Sequence, residues 1–157
     1  ARVVQNVRRE VHQMAHPFPH LYEVALSWPG EGGVEITAGP RPKLTGGAPA
    51  EFDGRGDWWS PEHLLLSSLS LCLTTTFQAV TARARVPVRD FRCRARGVLD
   101  KTAAGLAFTE IVLEVAVEAD PGNAERVREL LQKAKTHCIV SNALKPEVRL
   151  AVEVKEA

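Results

Sequence analysis

Two cysteines, Cys72 and Cys138, stand where thiol chemistry is possible. Cys72 lies in a long uncharged segment, and Cys138 ends an amphipathic segment that closes with Lys135, Thr136 and His137. A thiolate is the reactive form of cysteine, and two thiols that meet in a fold can alternate between dithiol and disulfide. The pair therefore indicates a two-thiol redox cycle, provided that the fold brings the thiols together.

Each cysteine also has a purely structural interpretation. Free cysteine is among the most buried residue types and often packs as a small apolar side chain. Burial in apolar surroundings keeps a thiol protonated, so a reactive Cys72 needs a positive group such as an arginine of the preceding loop. If Cys138 begins a short helix, the helix N-terminus would favour its thiolate. Cys93, on the core side of a predicted strand, is expected to be structural.

Composition restricts the classes of function. The chain has 157 residues, with 20 Lys and Arg against 19 Asp and Glu, a net charge of +1. This length suits one domain, and so small a net charge argues against nucleic acid as a partner. The odd count of three cysteines and an N-terminus without an apolar signal core favour the cytoplasm. Many hydroxyl side chains in the uncharged stretch 64–82 argue against a membrane span.

Hydrophobic periodicity predicts an α+β domain with the element order β-β-α-β-β-α-β. Predicted strands cover 21–28, 34–37, 88–99, 108–118 and 148–154. The first two are expected to form a hairpin, and the alternating strand 88–99 is expected to pair with 108–118 across a turn at 100–105. The first helix begins with Ser60 as its cap and Pro61 in its first turn, and it is apolar nearly all round. The second helix is expected to begin at Pro121 with Asp120 as its cap.

Residues 1–20 are expected to form a polar N-terminal arm. His12, His16 and His20 are four residues apart, a spacing that would align them on one helix face. Pro17 and Pro19 interrupt such a helix, which argues against a metal site. No bound metal is predicted.

The two cysteines stand in two spaced motifs. The first is Ser60-Pro61-Glu62-His63-Leu64-Leu65, with Cys72 eleven residues after Pro61, and the second is Gln132-Lys133-Ala134-Lys135 followed by Cys138-Ile139-Val140-Ser141-Asn142-Ala143-Leu144. Together they resemble the OsmC/Ohr family of thiol-dependent peroxidases over 28–155. The resemblance implies an OsmC-like α+β domain over 21–157, in which antiparallel sheets wrap around central cysteine-bearing helices in an intertwined homodimer.

The resemblance also implies a reaction. Cys72 would be the peroxidatic thiol that reduces an organic hydroperoxide, and Cys138 would resolve the resulting sulfenic acid as a disulfide. An external dithiol such as a lipoyl protein would restore both thiols, so no bound cofactor is expected. Glu62 matches the family glutamate that orients an arginine toward the thiolate and the peroxide.

One departure from the family pattern concerns that arginine. It usually stands directly before a Phe-Asp/Glu-Gly turn, whereas here Glu51 precedes Phe52. Arg55, just downstream, and Arg41, further upstream, are the candidates to replace it, with Arg55 favoured slightly.

An apolar substrate pocket is expected from Trp58 and Trp59 ahead of the helix, Phe77 within it, and Ile139 after the second cysteine. Packing at a subunit interface explains the two tryptophans equally well. Two further functions stay open at this point. One is a weakly active or non-catalytic relative that binds a small apolar ligand at the dimer interface, and the other is a redox sensor that signals through the disulfide.

Overall fold

The computed structural model describes residues 17–157, in two compact units, Ala1–Gly46 and Gly47–Ala157. The predicted arm, 1–20, falls mostly outside the described residues, as do His12 and His16. The prediction of one domain from residue 21 onward stays a prediction.

The described part of the first unit is a small antiparallel sheet of three strands, β1 (Ala25–Ser27), β2 (Val34–Thr37) and β3 (Leu44–Gly46). The β1–β2 hairpin was predicted, although β1 is shorter than expected. β3 was missed because its three residues lie in a segment rich in Pro and Gly. Leu26, Ile36 and Leu44 are cross-strand neighbours and share one face, on which Leu26 is 62% exposed.

The second unit is built around α1, Pro61–Ala84. The buried hydroxyl of Ser60 accepts a hydrogen bond from the backbone N–H of His63 at 3.2 Å, and the helix ends where Arg85 takes a left-handed conformation. One stripe of the helix, including Leu69, Leu73 and Phe77, is buried. The apolar circumference of the helix predicts that the sheet, other helices or a second subunit cover it on most sides. Leu71 is 64% exposed in the single chain, so this stays a prediction.

By length and composition alone, α1 could cross a membrane, as core helices of many soluble proteins also could. The sequence-based expectation that the protein makes no membrane contact therefore stays a prediction.

A second sheet covers the buried stripe of α1. Its strands are β4 (Val88–Thr102), β5 (Gly105–Ala119) and β6 (Val148–Glu156) in that order. β4 and β5 form the predicted hairpin, but both strands extend further than predicted. The tight turn that joins them includes Gly105, which has a φ of 108°. The prediction of antiparallel sheets is wrong for β6, which pairs parallel to β5 because two helices carry the chain back between them.

These two helices are α2, Ala124–Thr136, and α3, Ile139–Ala143. α3 starts directly after Cys138, so the short helix considered for that position is present, although the predicted element order did not include it. The prediction that α2 begins at Pro121 is wrong, because the carboxylate of Asp120 pairs with Arg89 at 2.6 Å instead of capping the helix. The carboxylate of Glu156 accepts hydrogen bonds from the backbone N–H groups of Gly122 and Ala124, each at 3.1 Å.

The core lies between one face of the second sheet and the inner faces of α1 and α2. Its fully or nearly fully buried members from the three elements include Leu73, Phe77, Ile111, Leu113, Val127 and Leu131. This packing fixes the positions of α1 and α3 relative to each other, and with them the two cysteines.

Replacement of Ser60 by alanine tests how α1 is positioned. The variant loses the cap and leaves the backbone N–H of His63 without its acceptor, so we expect the free energy of unfolding to fall by about 1 kcal/mol. Chemical denaturation measures this quantity. Ser67→Ala, at an exposed position of the same helix, is the matched control and should be nearly neutral. Equal losses in both variants would contradict the capping role.

Candidate functional site

The structure brings Cys72 and Cys138 together. Cys72 lies in the middle of α1 and is half-buried, whereas Cys138 is fully buried at the N-terminal cap of α3. The Cys138 thiol is hydrogen-bonded to the Cys72 side chain, and both thiols are free in this structure. Two thiols in contact, one of them partly open, can exchange between dithiol and disulfide.

The environment of Cys138 holds its thiol in the protonated form. Burial, together with the hydrogen bond and the charge of a Cys72 thiolate, raises the pKa of Cys138 to about 11. The backbone N–H groups of Val140 and Ser141 act in the opposite direction but do not offset the rise. The Cys138 thiol is therefore protonated at neutral pH.

Glu62 carries an unusual carboxylate at the start of α1. Its Oε2 atom is buried and has no hydrogen-bond partner among residues 17–157. Glu62 and Cys72 are ten residues apart on one continuous helix, which corresponds to an axial separation of about 15 Å. The carboxylate of Glu62 therefore cannot contact the sulfur of Cys72 in the same chain.

The two candidate arginines have other contacts. Arg55 binds Asp57 with both ends of its guanidinium, at 3.0 and 2.8 Å, and lies 4.9 Å from the ring of Trp58. The hydrogen bond with Asp57 raises the pKa of Arg55 and lowers the pKa of Asp57. Arg41, in the first unit, donates from Nη1 to the carbonyl oxygen of Ala38 at 3.1 Å. Within residues 47–157, no cation reaches Glu62 Oε2.

The four expected pocket residues do not line a common cavity in the described structure. Phe77 is only 2% exposed and stacks on Phe91 in the core, with ring centroids 5.1 Å apart. Trp58 is half-buried and covers Gly47, where a Cβ atom would lie 2.7 Å from its ring. Trp59 and Ile139 are exposed, Ile139 by 78%.

A different cavity, of about 540 Å³, lies between the first turn of α1 and the β4–β5 hairpin. Glu62 lines it together with apolar side chains that sequence reasoning missed: Phe52, Leu66, Leu99, Leu106 and Phe108. Gly97 makes room for this wall, because a Cβ there would lie 2.6 Å from the ring of Phe108. A glycine inside an otherwise regular strand was the sequence signal for such a close approach.

Two further groups near the motifs have structural roles. His63 Nδ1 lies 2.8 Å from the hydroxyl of Ser60, so the histidine reinforces the cap of α1. Cys93 is half-buried on β4, where burial raises its pKa while a hydrogen bond with Ser70 opposes the rise. Within residues 17–157, no cluster of three or more His, Cys, Asp or Glu side chains is arranged to hold a metal.

Known proteins resemble this chain in sequence and in structure. Residues 54–153 match the family described as OsmC-like protein. The uncharacterized protein YmaD of Bacillus subtilis is 25% identical over 146 residues, covering 85% of this chain and 93% of that protein. Peroxiredoxin OsmC of Escherichia coli is 29% identical over 126 residues, covering 80% and 87%.

A solved structure from Vibrio cholerae, an OsmC-like protein of unknown function, superposes on this one with a TM-score of 0.77. The identity is 18%, and the match covers 86% of this chain and 100% of that one. This likeness shows that the fold is the OsmC-like α+β fold. The first unit's sheet, the second sheet and the helices are its components.

The raised pKa of Cys138 predicts a pH dependence of stability. An unfolded thiol ionises near 9.0, whereas the folded one ionises at about 11. The folded state therefore binds the proton more tightly, so this contribution is complete below pH 9 and is lost as the pH rises to about 11. We expect wild type to lose about 1 to 2 kcal/mol more than Cys138→Ala over this interval.

The measurement is denaturant unfolding at several pH values under reducing conditions. Wild type and Cys138→Ala share all other titrating groups, so their difference isolates this thiol. Parallel curves for the two proteins would contradict the assignment.

Proposed function

This chain belongs to the OsmC-like family, and from that membership we propose that it is a thiol-dependent peroxidase that reduces organic hydroperoxides. The observation that carries the proposal is the contact between a partly open Cys72 and a buried, protonated Cys138. The named E. coli relative, a peroxiredoxin, supports the same chemistry. Cys72 is the peroxidatic residue and Cys138 is the resolving residue.

The reaction proceeds in three balanced steps. The Cys72 thiolate attacks the terminal oxygen of the hydroperoxide, the O–O bond breaks, and the alkoxide takes a proton and leaves as an alcohol. The sulfur of Cys138 then attacks the Cys72 sulfenic acid, which forms the disulfide and releases water. An external dithiol, such as a lipoyl group, reduces the disulfide by exchange and becomes a disulfide itself.

The position of Glu62 supports an active site that two subunits share. Glu62 is separated from the Cys72 of its own chain by about 15 Å along α1. In a homodimer whose α1 helices lie antiparallel, Glu62 of one subunit reaches the thiol pair of the other. Its unpartnered Oε2 is suited to hold a guanidinium against that thiolate. Arg41 and Arg55 are the candidates for this arginine. Arg55 would have to give up its ion pair with Asp57 to bind Glu62.

Two uncovered surfaces support the dimer independently. The outer face of α1 carries no charged side chain between His63 and Arg83, and Leu71 on it is largely exposed. The apolar face of the first sheet also carries an exposed side chain, since Leu26 is 62% exposed. A three-stranded sheet of such short strands needs a covering layer to be stable. A second copy of the chain would supply apolar cover for both.

One observation favours a second candidate, a relative that binds an apolar ligand without turnover. Within residues 47–157, no cation is hydrogen-bonded to the buried Oε2 of Glu62, and a largely apolar cavity is present at the start of α1. A peroxidatic thiol needs a positive group that stabilises its thiolate. The peroxidase proposal therefore depends on an arginine that the dimer brings into place.

Turnover of cumene hydroperoxide with dihydrolipoamide tests the proposed reaction. We expect wild type to turn over and Cys72→Ser to be inactive, because it lacks the attacking sulfur. Cys138→Ser should consume one equivalent of peroxide and accumulate a sulfenic acid that dimedone traps. Cys93→Ser is the matched thiol control and should keep full activity. Equal activity in Cys72→Ser and Cys93→Ser would exclude the proposed role of Cys72.

Mixed dimers test whether Glu62 acts across the interface. Glu62→Gln should lower kcat/KM roughly a hundredfold, because the arginine loses its anchor. A purified mixed dimer of Cys72→Ser and Glu62→Gln chains contains one complete site only if Glu62 serves the partner's thiol. We then expect about half of the wild-type activity.

If Glu62 served its own chain, both sites of the mixed dimer would be defective and activity would stay at the level of the parent variants. Differently tagged chains allow the mixed dimer to be separated from both parents. A mixed dimer of Cys72→Ser with wild type gives the reference value for one intact site.

A further inference from the structure

A cleft of about 310 Å³ runs between α1 and α2, away from Glu62 and its cavity. On α2 it follows residues 126, 130 and 133, a spacing that keeps to one face of a helix, and His137, directly after the helix, also lines it. Val80 and Leu130 are buried and belong to its apolar floor. The volume is at the lower end of the range for small-molecule sites.

The rim of this cleft is basic. Arg83, Arg126 and Lys133 line it, and no acidic side chain of the described residues does so. Arg126 is paired with Glu129 at 2.7 Å, whereas Arg83 and Lys133 make no ion pair within residues 17–157. This differs from the outer face of the second sheet, where cations such as Arg96 are matched by carboxylates such as Glu114.

Helix dipoles explain only part of this arrangement. Basic residues in the last turn of a helix interact favourably with its C-terminal end, and Arg83 and Lys133 both occupy last turns. Several of the carbonyl groups there already accept hydrogen bonds from backbone N–H groups: those of Thr81 and Ala82 from Val86 and Arg85, and that of Lys133 from His137. Arg83 and Lys133, which border one concave apolar surface, are therefore available to bind an external anion.

We propose that this cleft binds a small organic anion that has a carboxylate or phosphate-ester head and a short apolar stem. The head lies between Arg83 and Lys133, each of which offers charge-assisted hydrogen bonds. The stem packs on Val80 and Leu130, which an inorganic anion would leave uncovered. The site requires neither thiol, so its occupancy is independent of the peroxidase proposal.

Calorimetric titration of reduced wild-type protein in a phosphate-free buffer of low ionic strength tests this site. The probes are hexanoate and hexyl phosphate, with hexanol, hexylammonium and inorganic phosphate as controls. We expect at least one of the two amphiphilic anions to bind at least tenfold more tightly than hexanol and inorganic phosphate, and hexylammonium not to bind. Binding by both anions identifies a general anionic head, and binding by one of them identifies that head group.

Substitutions locate the binding site. Arg83→Gln and Lys133→Gln should each weaken binding about tenfold, because each removes one of two cations from the head group. Arg94→Gln is the matched control, an exposed arginine of β4 without an ion pair in the described chain, and should bind as wild type does. Equal affinity for hexanoate, hexyl phosphate and hexanol in wild type, or equal weakening by Arg94→Gln, would overturn the proposal.

Discussion

The contact between the Cys72 and Cys138 side chains is the constraint around which this fold is arranged. Cys72 is fixed by α1, whose buried stripe packs on the second sheet, and Cys138 is fixed where α2 ends and α3 begins. The two residues are far apart in sequence, so only tertiary packing brings their thiols together. Because Cys138 is fully buried, the same packing also determines its protonation state.

A catalytic thiol needs a nearby positive charge, and Glu62 is expected from the sequence to orient it. At the start of α1, however, Oε2 of Glu62 is buried and has no hydrogen-bond partner among the described residues. An unsatisfied buried oxygen is costly and is retained where it serves a function. For Glu62, the proposed function is to accept a hydrogen bond at Oε2 from an arginine guanidinium that comes from outside the unit.

Local signals predicted much of this structure. The Ser60 cap and the alternation of β4 depend on neighbouring residues in the sequence, and the structure confirms both. α3 was considered only as a possibility and was missing from the predicted element order. The errors concern features that depend on residues distant in sequence. Asp120, for example, forms an ion pair with Arg89, and α2 begins later than predicted. The cavity lined by Phe108 was missed for the same reason, since it requires the hairpin and α1 to be juxtaposed.

Hydrogen bonds connect the start of α2 to β6, the last strand. Glu156 accepts from the N–H groups of Gly122 and Ala124, across separations of 34 and 32 residues. Parallel pairing of β6 with β5 is non-local in the same way. During synthesis, the start of α2 stays without this acceptor until β6 has left the ribosome. The segment that holds Cys138, between α2 and α3, should therefore be among the last parts of the unit to become ordered.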